Sequence, residues 1–427
     1  MGEERSELIV RARLVTMDDA KAAPACTARF ARKREAIIAA AADILNHKGV
    51  KGMTLADVAA SVGLITTSVT YYFKKKEDLA AACFLSGIAR LDALVGEALA
   101  EATPPARVHR LLSLYLDLVL AIRRGEAAPI AMFSDVRALN EENRSTVGPA
   151  FGQLFRRTRS LFDAPGYEWL GRKAATARTY VLMEQIYWLP AWLQRYEPED
   201  YPRVRERMFD ILVGGLARPD SAWKPCAMPE ARAQASAAAP EMSRETFLLA
   251  ATRLINQEGY RGASVEKISA VLNVTKGSFY HHIDAKDDLV VACFERSFDM
   301  VRRVQTAALA RPMDQWRRLC SVARVLVEHQ LSDEGPLLRT SALSALPEAI
   351  RHRMVDESNR LSGRFAAMIS DGIAEGTVRA VDPLIAAQML GATLNAAADL
   401  RGSPAGVRRS EVGELYAKPM LMGLFSK

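Results

Sequence analysis

Two short stretches of this 427-residue chain gather side chains suited to gripping a polyanion. Thr66, Thr67, Ser68, Thr70, Tyr71, Tyr72 and Lys76 make up one; Lys276, Gly277, Ser278, Tyr280, His281, His282 and Lys286 make up the other. Small residues let a backbone approach a duplex closely, while hydroxyl, phenol, imidazole and ammonium groups donate to phosphates or reach base edges. A cation opening the next helix, as at Lys76 and Lys286, sits beside free amides that hold phosphate. His281 and His282 are neighbours, so on a helix they point about 100° apart, which argues against a shared metal ion.

The two stretches belong to a repeat. Gly49–Phe84 and Gly259–Phe294 align without a gap, each residue meeting its counterpart 210 positions later, close to half the chain length. Ten positions are identical, among them Gly49/Gly259, Ser68/Ser278, Lys76/Lys286 and Cys83-Phe84/Cys293-Phe294. Such self-similarity fixes architecture before any other signal. Upstream, Ile37, Ile38, Ala41, Ile44 and Leu45 form an apolar stripe at helical spacing, and Phe247, Leu248, Ala251, Leu254 and Ile255 repeat it. A shared stripe implies a shared packing partner.

Within each repeat the sequence spells helix, turn, helix. Thr54 or Ser264 stands where an N-cap belongs, ahead of Leu55/Val265 and Val58/Ile268. Gly63 or Asn273 then supplies the turn; these are the two residue types that best tolerate a left-handed backbone. Arg29 with Arg32-Lys33-Arg34 precedes the first repeat, either as an arm reaching phosphate or a minor groove or as a solvated charged face.

Apolar residues recur at three- and four-residue spacing almost throughout, so the fold class is all-α. Helices are expected near 105–124, 128–140, 143–163, 168–195 and 199–217, and again near 313–331, 335–345, 347–374, 382–400 and 409–424. Pro190 is expected to kink or break its helix, Asp382-Pro383 to start one and Gly376 to close one. The division reads 1–28 extension, 29–80 first helix-turn-helix, 81–217 first helical unit, 218–242 Pro- and Ala-rich linker, 243–290 second helix-turn-helix and 291–427 second helical unit. Five cysteines show no CxxC or zinc-type spacing and read as buried thiols. The net charge of +7 permits nucleic-acid binding without demanding it.

Both repeats resemble the DNA-binding domain of the TetR/AcrR family of bacterial transcriptional regulators, through Gly49/Gly259, the Thr- or Ser-capped helix, TTSVTYYF or TKGSFYHHI, and KKEDL or AKDDL. The resemblance implies two tandem units, each a three-helix reading head followed by a ligand-binding and dimerisation bundle. It implies DNA contacts at the residues of the two opening stretches, together with Thr54 and Ser264. The first copy departs from the family pattern at Ile65, where a capping Ser or Thr is usual, and at Thr70, where Tyr is usual; the second departs at Ile283.

The implied function is a sequence-specific regulator, a repressor released from its operator by a small hydrophobic or aromatic effector. Tyr115, Phe151, Phe155, Trp169, Tyr180, Tyr187 and Trp188 are candidate pocket residues, or else core and interface packing. Segments 168–217 and 382–424 are expected to pack as a pseudo-twofold bundle, so that one chain imitates a dimer; a homodimer is the other arrangement considered. In an alternative reading one copy binds DNA and the other contacts a partner protein. No Walker loop, HExxH, GxSxG or strand-borne GxGxxG occurs, which speaks against an enzyme. No cofactor, metal or membrane partner is expected. The absence of signal-peptide features in the first 28 residues points to the cytoplasm, with the nucleoid as the place of work.

Overall fold

The computed structural model describes residues 24–131, 133–229, 244–260, 262–274, 286–400 and 406–427. The second recognition stretch, with Lys276, Gly277, Ser278, Tyr280, His281 and His282, lies outside the described residues, as does the side chain of Lys286. Among the described residues the chain is all helix and loop, with one isolated antiparallel bridge between Ala217 and Val378.

The first head consists of α1 (Pro24–Gly52), α2 (Leu55–Ser61) and α3 (Thr66–Tyr72). Helix α4 (Lys76–Ala98) leaves the head and becomes a wall of the first helical unit, completed by α5 (Pro104–Arg123), α6 (Glu141–Arg159), α7 (Gly171–Leu193) and α8 (Tyr201–Gly214). By length and composition α4 is apolar enough to cross a membrane. Here its Leu79, Phe84, Ile88, Leu91 and Val95 are buried, and it packs on α1, α5 and α6. The second half repeats the plan with α9 (Arg244–Glu258), α10 (Val265–Val271), α11 (Lys286–Leu309), α12 (Gln315–Gln330), α13 (Glu348–Ala374) and α14 (Pro383–Ala396). A π turn (Gly413–Ala417) and α15 (Lys418–Met422) follow.

Repeat equivalence reaches single hydrogen bonds. The Cys83 thiol donates to Ile38 C=O and the Cys293 thiol to Leu248 C=O, both at 3.5 Å. Burial pushes both thiols up to about 12, far from the range of a reactive thiolate. Gly63 (φ 66°) and Asn273 (φ 54°) both adopt the left-handed conformation that the turn requires.

Several elements differ from the sequence expectation. Segments 128–140 and 335–345 contain only short 3-10 turns, Phe133–Ala138 and Thr340–Ala345. Pro129 and Pro336 each deny the preceding residues a helical ladder. Helix α7 runs through Pro190 unbroken, held on both sides of the proline by buried Ile186, Leu189, Trp192 and Leu193. Helix α1 begins at Pro24, inside the stretch read as a loose extension. The start of the supposed linker is pinned: Ser321 Oγ accepts from Cys226 N–H at 2.8 Å, Trp316 Nε1 donates to Ala222 C=O at 2.9 Å, and Met228 is buried.

The two halves meet along α7 and α14, with α8, the π turn and α15 closing the contact. Ala386, Ala387 and Met389 on α14 are buried, as are Leu182, Ile186 and Leu189 on α7. Gln185 Nε2 donates across to Met389 C=O at 2.8 Å and Thr393 Oγ1 at 3.2 Å, and Arg207 pairs with Asp382, the N-cap of α14. The ends of the halves interlock reciprocally. Leu216 N–H donates to Leu421 C=O and Leu424 N–H to Leu212 C=O, each at 2.7 Å. Gly215 and Gly423 both have positive φ, and a methyl group on either would meet the other segment's backbone at 2.4 Å and 2.1 Å respectively.

These two glycines differ from Gly63, whose added methyl group would meet nothing within 4 Å. Gly63→Ala is expected to cost only the left-handed backbone penalty of about 1–2 kcal/mol. Gly215→Ala adds a backbone collision and is expected to cost well over that. Denaturant unfolding of the full chain checks the difference; equal costs would mean the interlock contributes nothing.

Candidate nucleic-acid interface

Helix α3 is short and anchored on one side only. Val69 is buried, while Thr66 and Thr67 are exposed, Ser68 is half-exposed and Tyr71 is 68% exposed. The buried side packs on α2, which Thr54 starts by accepting from Asp57 N–H at 3.0 Å; Ser264 does the same for Lys267 N–H at 3.3 Å in the second head. Thr54 and Ser264 therefore act first as caps, and a capping hydroxyl still has its own proton to donate. Lys48 pairs with Asp57 at 3.1 Å and holds this start against the end of α1. Hydrogen bonding to Thr54 and then to Lys48 lowers the Asp57 carboxyl below its ordinary value.

The structure alters two expected contacts. Lys76 Nζ donates to Lys51 C=O at 2.7 Å, so one of its three donors closes the head on itself. Thr70 Oγ1 donates back to Thr67 C=O at 2.9 Å, so its hydroxyl proton is spent within the helix. Ile65, 70% exposed, precedes α3 without a side-chain cap, as its type dictates.

Phe30 was not anticipated. Its ring lies 4.7 Å from that of Tyr72 and 6.0 Å from that of Tyr71, and the Arg34 guanidinium sits 5.1 Å over Phe73. The first turns of α1 thus lie along the recognition helix, and exposed Arg29, Arg32 and Lys33 form one stripe beside it. The signal was legible: Phe30 stands two helical turns before Ile37 on the same face. The basic cluster is helical and lies beside α3.

Behind the head, α4, α5, α6 and α7 enclose a cavity of about 20 Å³, lined by Leu91, Val95, Leu111, Leu154, Thr158, Met183, Ile186 and Tyr187. Of the seven candidate aromatics, Tyr187 is the one on this wall. Tyr115 is core, and Phe155 packs on Tyr180 at 4.6 Å. Phe151 packs on Phe133 at 5.7 Å. Trp188 Nε1 donates to Gln388 Oε1 at 3.2 Å across the halves, and Trp169 is 37% exposed beneath Arg178. Aromatic content marked the packing, whereas mostly aliphatic side chains line the space.

A capped helix, a left-handed turn and a second helix presenting hydroxyls and a phenol define a helix-turn-helix DNA-binding module. Both heads match the DNA-binding domain of the TetR family of bacterial regulatory proteins, at residues 37–83 and 247–293, so the chain carries two such domains in tandem. It is a DNA-binding regulator and not an enzyme. It is similar to the HTH-type transcriptional repressor DhaR of Mycobacterium sp. (strain GP1), 25% identical over 139 residues that cover 32% of this chain and 70% of that one. It is also similar to the uncharacterized HTH-type transcriptional regulator Mb1581 of Mycobacterium bovis, 29% identical over 29% of this chain and 60% of that one. Among solved structures, the TetR family regulator PfmR from Thermus thermophilus is 19% identical with a TM-score of 0.36, over 43% of this chain and 96% of its own.

Because Ile65 leaves the first amides of α3 without a side-chain acceptor, Ile65→Thr is expected to stabilise the first head by about 0.5–1 kcal/mol. Thermal unfolding of the full chain followed by helical circular dichroism measures this; an unchanged or lower midpoint would show that the exposed isoleucine already has a compensating role.

Proposed function

We propose that the chain is a repressor that reads one asymmetric operator with two different heads and lets go when a small apolar molecule opens its first effector unit. The observation that carries this reading is the exposed α3 surface, with Tyr71 outermost and the Arg29, Arg32, Lys33 stripe alongside. The stripe supplies phosphate contacts that set register, and α3 supplies base contacts that set sequence. Repression is suggested by the similarity to DhaR, which carries that description.

Interlocked halves support a single chain that acts as its own pseudo-dimer. Each half brings one head, as each subunit of a helix-turn-helix dimer does. The heads differ, TTSVTYY against KGSFYHH, so the two half-sites differ too. The second head's contacts at Lys276, Gly277, Ser278, Tyr280, His281, His282 and Lys286 rest on its match to the family pattern. On this reading the protein works in the cytoplasm, on the nucleoid.

The cavity behind the first head supports an apolar effector. Its volume has room for about one water, so a ligand must part α4, α5, α6 and α7. Leu91 and Val95 on its wall belong to α4, whose other end opens at Lys76 beneath the recognition helix. A ligand that favours the parted arrangement shifts the population away from the DNA-bound one.

Titration of the full chain against an operator selected from random duplexes tests the reading. Tyr71→Ala and Tyr280→Ala are each expected to weaken binding by about ten- to hundredfold, and the selected site is expected to be asymmetric. Unchanged affinity in Tyr280→Ala would assign DNA reading to the first head alone and favour a protein partner for the second.

A further inference from the structure

The heads are tied to the effector units by the segments that follow α5 and α12. Asn46 and Asn256, equivalent in the repeat, each donate from Nδ2 to their own half's segment, to Ile130 C=O at 2.9 Å and Leu337 C=O at 2.8 Å. Both segments then enter the 3-10 turns Phe133–Ala138 and Thr340–Ala345, and there they cross. Phe133–Ala138 packs against α9 of the second head as well as against α1 of its own, and Thr340–Ala345 packs against α1 of the first. The Arg137 guanidinium donates to Asn256 C=O. Asn256 is thus held from both halves, since its Oδ1 also accepts from Arg339 N–H at 3.1 Å.

The crossing is anchored at both of its roots. Phe133 lies 5.4 Å from the ring of Tyr187, on the cavity wall, and Thr340 Oγ1 accepts from Asn395 Nδ2 of the interface helix at 2.5 Å. Along a duplex, one added base pair displaces a half-site by about 3.4 Å and turns it by roughly 35°. Heads on a loose tether absorb both changes, whereas heads latched to each other's half absorb neither.

We propose that the crossed connectors, with Arg137 and Asn256 as positioning residues, fix the separation of the two heads and so dictate the half-site spacing that the chain accepts. The spacing consequence rests on the DNA-reading proposal above; the latch does not. It can therefore be tested without DNA. Ser61 and Val271 are equivalent, exposed positions on the two heads. Spin labels at S61C and V271C, in a full-length C26S/C226S background, report head separation by pulsed electron–electron resonance.

The latch predicts a narrow distance distribution for the parent chain, at least a twofold broader one for R137A, and recovery in R137K. In anisotropy titrations with the selected operator lengthened or shortened by one base pair, the parent is expected to lose about tenfold in affinity. R137A is expected to lose less than about threefold. Identical distributions and identical spacing preference in R137A and the parent would overturn the proposal. If R137A loses its helical circular dichroism, R137M, which keeps the packing stem, carries the same comparison with the same two outcomes. If no duplex binds the parent chain, the DNA reading fails and the resonance measurement alone decides the latch.

Discussion

At the base of the molecule, Gly215 and Gly423 each occupy a place where the opposite segment's backbone leaves no room for a methyl group. Both adopt positive φ, and hydrogen bonds run in both directions between the segments that contain them. Such close backbone approach is possible only without a Cβ. It clamps the ends of the two halves together and brings α7 and α14 into register, so that Gln185 can satisfy Met389 and Thr393 across the contact. From the helical units joined in this way, α4 and α11 each run into a head.

Gene duplication explains why the clamp is reciprocal, and later divergence explains why it is not symmetric. The first half keeps an aliphatic cavity behind its head and an aromatic and basic extension in front of it. Where the first half has Val95 on the cavity wall, the second has Gln305, which donates to Leu361 C=O and accepts from Arg364 Nε. A satisfied buried network rigidifies, whereas an apolar cavity can yield.

Much of this was legible in the chain itself. Gly63 and Asn273, unlike in type, predicted one left-handed turn because both tolerate it, and Asp382-Pro383 announced the start of the interface helix. What escaped was tertiary. Pro190 looked like a breaker, yet its helix continues because Leu189, Trp192 and Leu193 around it are buried in tertiary contacts. Seven aromatics suggested a pocket, but ring count says nothing of which way a side chain faces. The crossing at Arg137 has no local signature at all, since its partner Asn256 lies 119 residues away.

A chain that is its own pseudo-dimer occupies one operator alone. Native mass spectrometry of the protein bound to its selected duplex measures this directly. A single chain per duplex is expected, with both recognition helices required for the complex. Two chains per duplex, joined so that only one half of each chain meets DNA, would contradict it.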